Sequence, residues 1–152
     1  MKIIFCHFLF SQLFSIFSSV IANKGKELVA VAPSVEGEFS AATMGGNDKV
    51  EVVGNGAFSH NTKITSVVLP NVTEVGHNAF AQNENLTNVQ LGALEKIGEY
   101  AFFEVPITVL PTFDAKTEIG KYAFAFTGIT SVTVPDNTVL EEGVFSENMS
   151  LE

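Results

Sequence analysis

The chain has 152 residues, eight lysines, no arginine and 17 acidic side chains, with 46% hydrophobic and 16% charged residues. A formal charge of −9 excludes the clustered cations that nucleic acid or an anionic membrane surface requires, and reads instead as solubility. The single cysteine, Cys6, excludes an internal disulfide and a thiolate metal site.

Residues 1–22 read as a signal peptide. Lys2 gives a minimal positive start, Ile3 to Phe17 is dominated by Ile, Leu and Phe, and Val20 and Ala22 fit the −3 and −1 positions of a cleavage site. The alternative is an uncleaved anchor, since Ile3–Ala22 has the length to span a bilayer. Ser11, Gln12, Ser15, Ser18 and Ser19 dilute it, so cleavage is the favoured reading. After cleavage seven lysines face 17 acids, a formal −10. No later run is apolar enough to cross a bilayer, so the mature chain is expected to be secreted or held at the cell surface without a membrane span.

Residues 23–49 read as an irregular N-terminal coil that caps the remainder of the chain, because end repeats must shield a stack and are usually atypical. Leu28–Pro33 supplies one candidate strand, and Gly37, Gly45, Gly46 and Asn47 punctuate the rest.

Residues 50–152 repeat. Gly54-Asn55-Gly56-Ala57-Phe58 returns as Gly76-His77-Asn78-Ala79-Phe80, Gly98-Glu99-Tyr100-Ala101-Phe102 and Gly120-Lys121-Tyr122-Ala123-Phe124, and a worn copy ends at Gly143-Val144-Phe145. The phenylalanines step by 22, 22, 22 and 21 residues, a period that marks a solenoid. Each unit opens with a strand phrase: Ile64–Pro70, Leu86–Gly92 and Ile129–Pro135. Their β-branched content and the period-2 pairs Val67/Leu69, Val89/Leu91 and Val132/Val134 predict strands, and the terminal Pro or Gly turns the chain. In the second half, Gly permits a tight bend or a positive φ, and Val53, Val75, Ile97 and Ile119 point inward. Ala is small where backbones approach, and Phe fills the coil. Stacking places the phenylalanines in one column, each worth about 2–3 kcal/mol of burial. The third coil is irregular: its strand phrase, Val105–Pro111, is short, and Thr112–Lys116 is inserted before Glu118. Either Thr108 points inward there, or Ile107 and Val109 do; a bulge is expected, with Phe113 covering it or exposed. The last coil is incomplete: Leu151 stands six residues after Phe145, where Ile64 and Leu86 stand after their own phenylalanines.

The unit Leu-x-x-Val-x-Leu-Pro-x-x-Val-x-x-Ile-Gly-x-x-Ala-Phe, best seen in residues 64–80 and 86–102, resembles the leucine-rich repeat of BspA-like surface proteins. The resemblance implies a right-handed solenoid of about five coils, with short parallel strands on the concave face and little regular helix. It also implies a secreted or surface protein whose usual proposed role is adhesion. The family often has Cys three residues after the Phe; here Asn61, Asn83 and Asn148 occupy that place, with Val105 and Thr127 in the other coils. A buried Asn there suits a hydrogen-bond ladder between coils.

No arrangement supports catalysis, and no cofactor is expected. His60 and His77 occupy positions that vary from coil to coil, which suits solvent exposure better than a metal site. Glu141-Glu142 reads as a solvated turn. The candidate ligand-binding surface is the outward side of the strands: Thr65, Ser66, Val68, Thr87, Asn88, Gln90, Thr130, Ser131 and Thr133. Short polar side chains on rigid rungs suit a protein or glycan ligand on a host, matrix or neighbouring cell, although no aromatic anchor sits among them. Sequons at Asn71, Asn85 and Asn148 are candidate glycosylation sites. The uncapped last coil suggests end-to-end self-association. The competing reading is a short structural or truncated copy of a larger repeat adhesin, with no ligand of its own.

Overall fold

A computed structural model describes residues 26–40 and 49–152; the expected signal peptide and the Gly45–Asn47 turn fall outside the described residues. The described chain is a parallel-strand solenoid of about five turns, with no helix among these residues. Nine short strands occur in order: β1 Glu27–Leu28, β2 Gly37–Ser40, β3 Val52–Val53, β4 Ile64–Leu69, β5 Glu74–Val75, β6 Asn88–Leu91, β7 Leu94–Ile97, β8 Phe113–Ile119 and β9 Val139–Leu140. They form two parallel sheets, β1-β3-β5-β7-β8-β9 and β2-β4-β6. Residues 26–40 thus supply one strand to each sheet.

The strand phrases are only partly strands. β4 agrees with expectation, but β6 starts at Asn88, only Leu28 of the N-terminal candidate lies in a strand, as the second residue of β1, and Ile129–Pro135 forms no strand. The reason lies one coil earlier. Ile107 and Ile129 come five residues after their phenylalanines, where Ile64 and Leu86 come six after theirs. Pro106 has no N–H to give a ladder, and Ile107 N bonds back to Val105 O at 2.8 Å. The 105–111 segment therefore leaves the sheet, and 129–135 has no strand to pair with. Neither expected register of 105–111 holds: Ile107 is buried, while Thr108 and Val109 are exposed, the latter by 75%.

The longer sheet runs through the segment just before each Gly, which the strand pattern did not reveal because most of these strands are two residues long. Val53, Val75, Ile97, Ile119 and Leu140 stand in register across it, and the first four are buried. The insertion of the third coil is absorbed as a bulge in β8 opposite Leu94–Lys96. Phe113 is half-buried, with its ring 6.0 Å from that of Phe124. Thr117 is fully buried; its Oγ1 lies 2.7 Å from Leu94 O and 2.8 Å from Asp114 O.

The third side of each coil is the arch from Gly to just past Phe. It carries a ladder of its own: the amides of Phe58, Phe80, Phe102 and Phe124 donate to Ala79, Ala101, Ala123 and Val144 carbonyls of the next coil at 2.8–2.9 Å. Two arch positions hold left-handed backbone. One reads Gly56, Asn78, Tyr100, Tyr122, Gly143, and the other His60, Gln82, Glu104, Phe126, Glu147, all at φ between 53° and 66°. The repeated Gly at 76, 98 and 120 has no positive φ. It is required by close approach: a Cβ on Gly98 would lie 2.5 Å from His77 N and 2.6 Å from Gly76 C. A tight contact between coils is therefore made at Gly, three residues before the buried Ala of the same arch.

The column of phenylalanines is present. Rings of Phe58, Phe80, Phe102 and Phe124 stack at 4.8–5.0 Å and Phe145 continues at 5.8 Å, while Phe39 closes the other end edge-on to Phe58. The four central rings are essentially without exposure, so this spine carries most of the aromatic burial.

Candidate functional site

Six of the nine ligand-binding candidates come together. β4 and β6 pair with Ser66 opposite Asn88 and Val68 opposite Gln90. Asn88 Nδ2 donates to Ser66 Oγ at 2.9 Å. Thr65, Thr87, Asn88 and Gln90 are exposed, and Ser66 and Val68 half-buried. Each rung is fixed by main-chain hydrogen bonds, so these side chains project from a stiff surface of about 4.8 Å spacing. β2 extends it with Glu38 opposite Ser66 and Ser40 opposite Val68. Thr130, Ser131 and Thr133 are exposed too, but on the strandless segment two coils away, with 105–111 between.

The sequons differ in environment. Asn71 and Asn85 are exposed, and Asn85 Nδ2 donates to Thr62 O at 2.6 Å. Asn148 Nδ2 donates to both Phe124 O and Phe145 O at 2.8 Å, while its Oδ1 accepts from Thr127 N and Oγ1. Asn148 and Asn61 thus bridge adjacent coils; Asn61 Nδ2 reaches Ala32 O at 3.4 Å. Asn83 turns inward on its own coil, bonding Phe80 O, and its Oδ1 is buried without a hydrogen-bond partner.

His60 and His77 are exposed. His77 serves the stack itself, since its Nδ1 accepts from Glu99 N at 3.1 Å and its own N–H donates to Asn55 Oδ1 at 2.8 Å. The outer face of the longer sheet carries Glu27, Val52, Glu74, Lys96, Glu118 and Val139 at successive register positions, and Glu141 and Glu142 are exposed beyond it. Among the described residues no group of three His, Cys, Asp or Glu side chains is arranged to hold a metal ion.

A second feature escaped the sequence reading. Tyr100, Phe103, Tyr122 and Phe126 form a connected aromatic patch on the arch, with ring centroids 5.4–5.5 Å apart and Phe126 49% exposed. The signal was present: in the copies at 54–61 and 76–83 these positions hold Gly56, Ser59 and His60, and Asn78, Ala81 and Gln82.

Coils of near-constant length, two parallel sheets, a stacked aromatic spine and a flat polar strand face define a repeat scaffold of the solenoid class. Residues 40–152 match the family model of the BspA type leucine-rich repeat region in six copies, and the chain belongs to that family. No curated protein and no solved structure matches it. Repeat scaffolds of this kind typically serve protein interaction, not catalysis, and the family is generally found at the surface or secreted. Among the described residues no helix is long and apolar enough to cross a membrane.

Proposed function

We propose that this chain is a secreted or cell-surface adhesion module that binds a protein or glycan on a host, matrix or neighbouring cell through the outer face of β2, β4 and β6. The observation that carries the reading is the registered set Ser66–Asn88 and Val68–Gln90, a rigid strand plane from which Asn88 and Gln90 project, exposed, beside half-buried Ser66 and Val68. Thr65 and Thr87 are exposed at the edge of that plane, where Thr87 N donates to Thr65 O at 3.1 Å; Thr130, Ser131 and Thr133 would form a separate, secondary contact. Residues 1–22 direct export and are removed after Ala22, leaving residues 23–49 as the N-terminal cap and 50–152 as the repeats. Glycans on Asn71 and Asn85 would flank the plane. The test replaces Thr87, Asn88 and Gln90 together by Lys and measures binding to immobilised matrix proteins and to cells. Loss of binding with an unchanged melting curve is expected; retained binding rejects the face.

A further inference from the structure

The aromatic patch on the arch lies away from the strand face, and three of its members occupy costly positions. Tyr100, Tyr122 and Phe126 have φ of 56°, 54° and 57°. Bulky side chains are uncommon in the left-handed region; at the position of Tyr100 and Tyr122 other coils place Gly56, Asn78 and Gly143, and at that of Phe126 they place the polar His60, Gln82, Glu104 and Glu147. Gly143 also leaves the room that the Tyr122 ring fills, since a Cβ there would collide with the ring. Such outliers point to something gained by the side chains themselves.

The surroundings say what that is. Along one row of the arch stand Glu104, Phe126 and Glu147, one per coil, joined by Glu104 N to Ala125 O and Phe126 N to Ser146 O bonds. Phe126 therefore stands one rung from a carboxylate on each side, and all three residues are exposed. Tyr100 and Phe103 support the patch and line a groove whose other side is Ser59, His60, Ala81 and Gln82. Phe126 is 49% exposed with Glu104 and Glu147 on the neighbouring rungs, and Glu104 Oε2 accepts from Gln82 Nε2 at 3.0 Å, which leaves its other oxygen to a ligand; an exposed ring with a carboxylate-bearing residue on each side fits a cation that is also planar. Guanidinium stacks on aromatic rings and forks onto carboxylates, whereas ammonium is more strongly hydrated. The chain has no arginine, so a second copy cannot supply one.

We infer that the arch of the third and fourth coils is a second binding surface, which takes an arginine side chain of a partner protein onto Phe126 between Glu104 and Glu147. It is independent of the strand face proposed above. The probe is an acetylated tetra-arginine peptide, with tetra-lysine as its counterpart, titrated into the full chain at about 0.15 M salt, where long-range attraction is screened. The arginine peptide binds more tightly than the lysine peptide. Phe126→Asn weakens the arginine peptide by about 3–10-fold, the range of one cation–π contact, and leaves the lysine peptide nearly unchanged. Asn suits the left-handed backbone, so this variant melts no lower than the parent, which separates lost binding from lost folding. Asn88→Ala with Gln90→Ala leaves both titrations unaltered. No detectable arginine binding, equal affinity for the two peptides, or wild-type affinity in Phe126→Asn would each overturn the inference.

Discussion

Replacing Gly98 by Ala adds one methyl group, and the fold leaves it nowhere to go. The new Cβ would meet His77 N at 2.5 Å, Gly76 C at 2.6 Å and Gly76 O at 2.9 Å. Non-bonded heavy atoms rest at roughly 3.5–4.0 Å, and all three obstacles are main chain, so no rotamer change relieves them. The two coils must separate by roughly 1 Å to restore that spacing, which strains the 2.8 Å Gly98 N to Val75 O bond and the neighbouring rungs. Overpacking costs about 1–3 kcal/mol, and a weakened buried hydrogen bond about 1 kcal/mol more. The expected loss is about 3 kcal/mol, or a fall in Tm of about 10 °C. Gly56→Ala is the comparison: φ is +65° and nothing lies within 4 Å of the added carbon. It pays only for the left-handed backbone, about 1 kcal/mol. Urea titrations monitored by far-UV circular dichroism compare the pair. If Gly98→Ala costs no more than Gly56→Ala, close approach between coils is not what the repeated glycine provides.

Other substitutions probe the interior and the surface. Phe102→Ala removes a buried ring stacked on both sides and should cost about 4–5 kcal/mol, against about 1–2 kcal/mol for half-exposed Phe145→Ala; equal losses in thermal melts would deny the column its stabilising role. Thr117→Val keeps the shape but withdraws the hydroxyl from Leu94 O, and should cost about 1–2 kcal/mol by urea titration; a neutral effect would show that this bond contributes nothing net. Expression in a host that N-glycosylates secreted chains should add glycans at Asn71 and Asn85 but not Asn148, whose amide nitrogen is engaged twice; a glycopeptide containing Asn148 in mass spectrometry contradicts that.

The repeat and its core were legible because Phe and the residue before Gly recur at fixed spacing, and burial at those points depends on side-chain type. The length of the strand phrases was less legible. Ile129–Pro135 matches Ile64–Pro70 at all but two positions, yet only Ile64–Leu69 is a strand, because pairing needs a neighbouring coil that 105–111 does not supply. The candidate binding face divided for the same reason: Asn88 and Gln90 gain partners on β4, and Thr130 and Thr133 do not.

By itself the sequence determined the solenoid, its period, the phenylalanine spine and the absence of any clustered positive surface, since each derives from residue type and repetition along one chain. Only the tertiary structure decided why the glycine is there, which strand phrases pair, and that Tyr100, Phe103, Tyr122 and Phe126 meet. Those are contacts between coils about 22 residues apart. Their outcome depends on register and on backbone approach across the stack, neither of which is a property of any single copy.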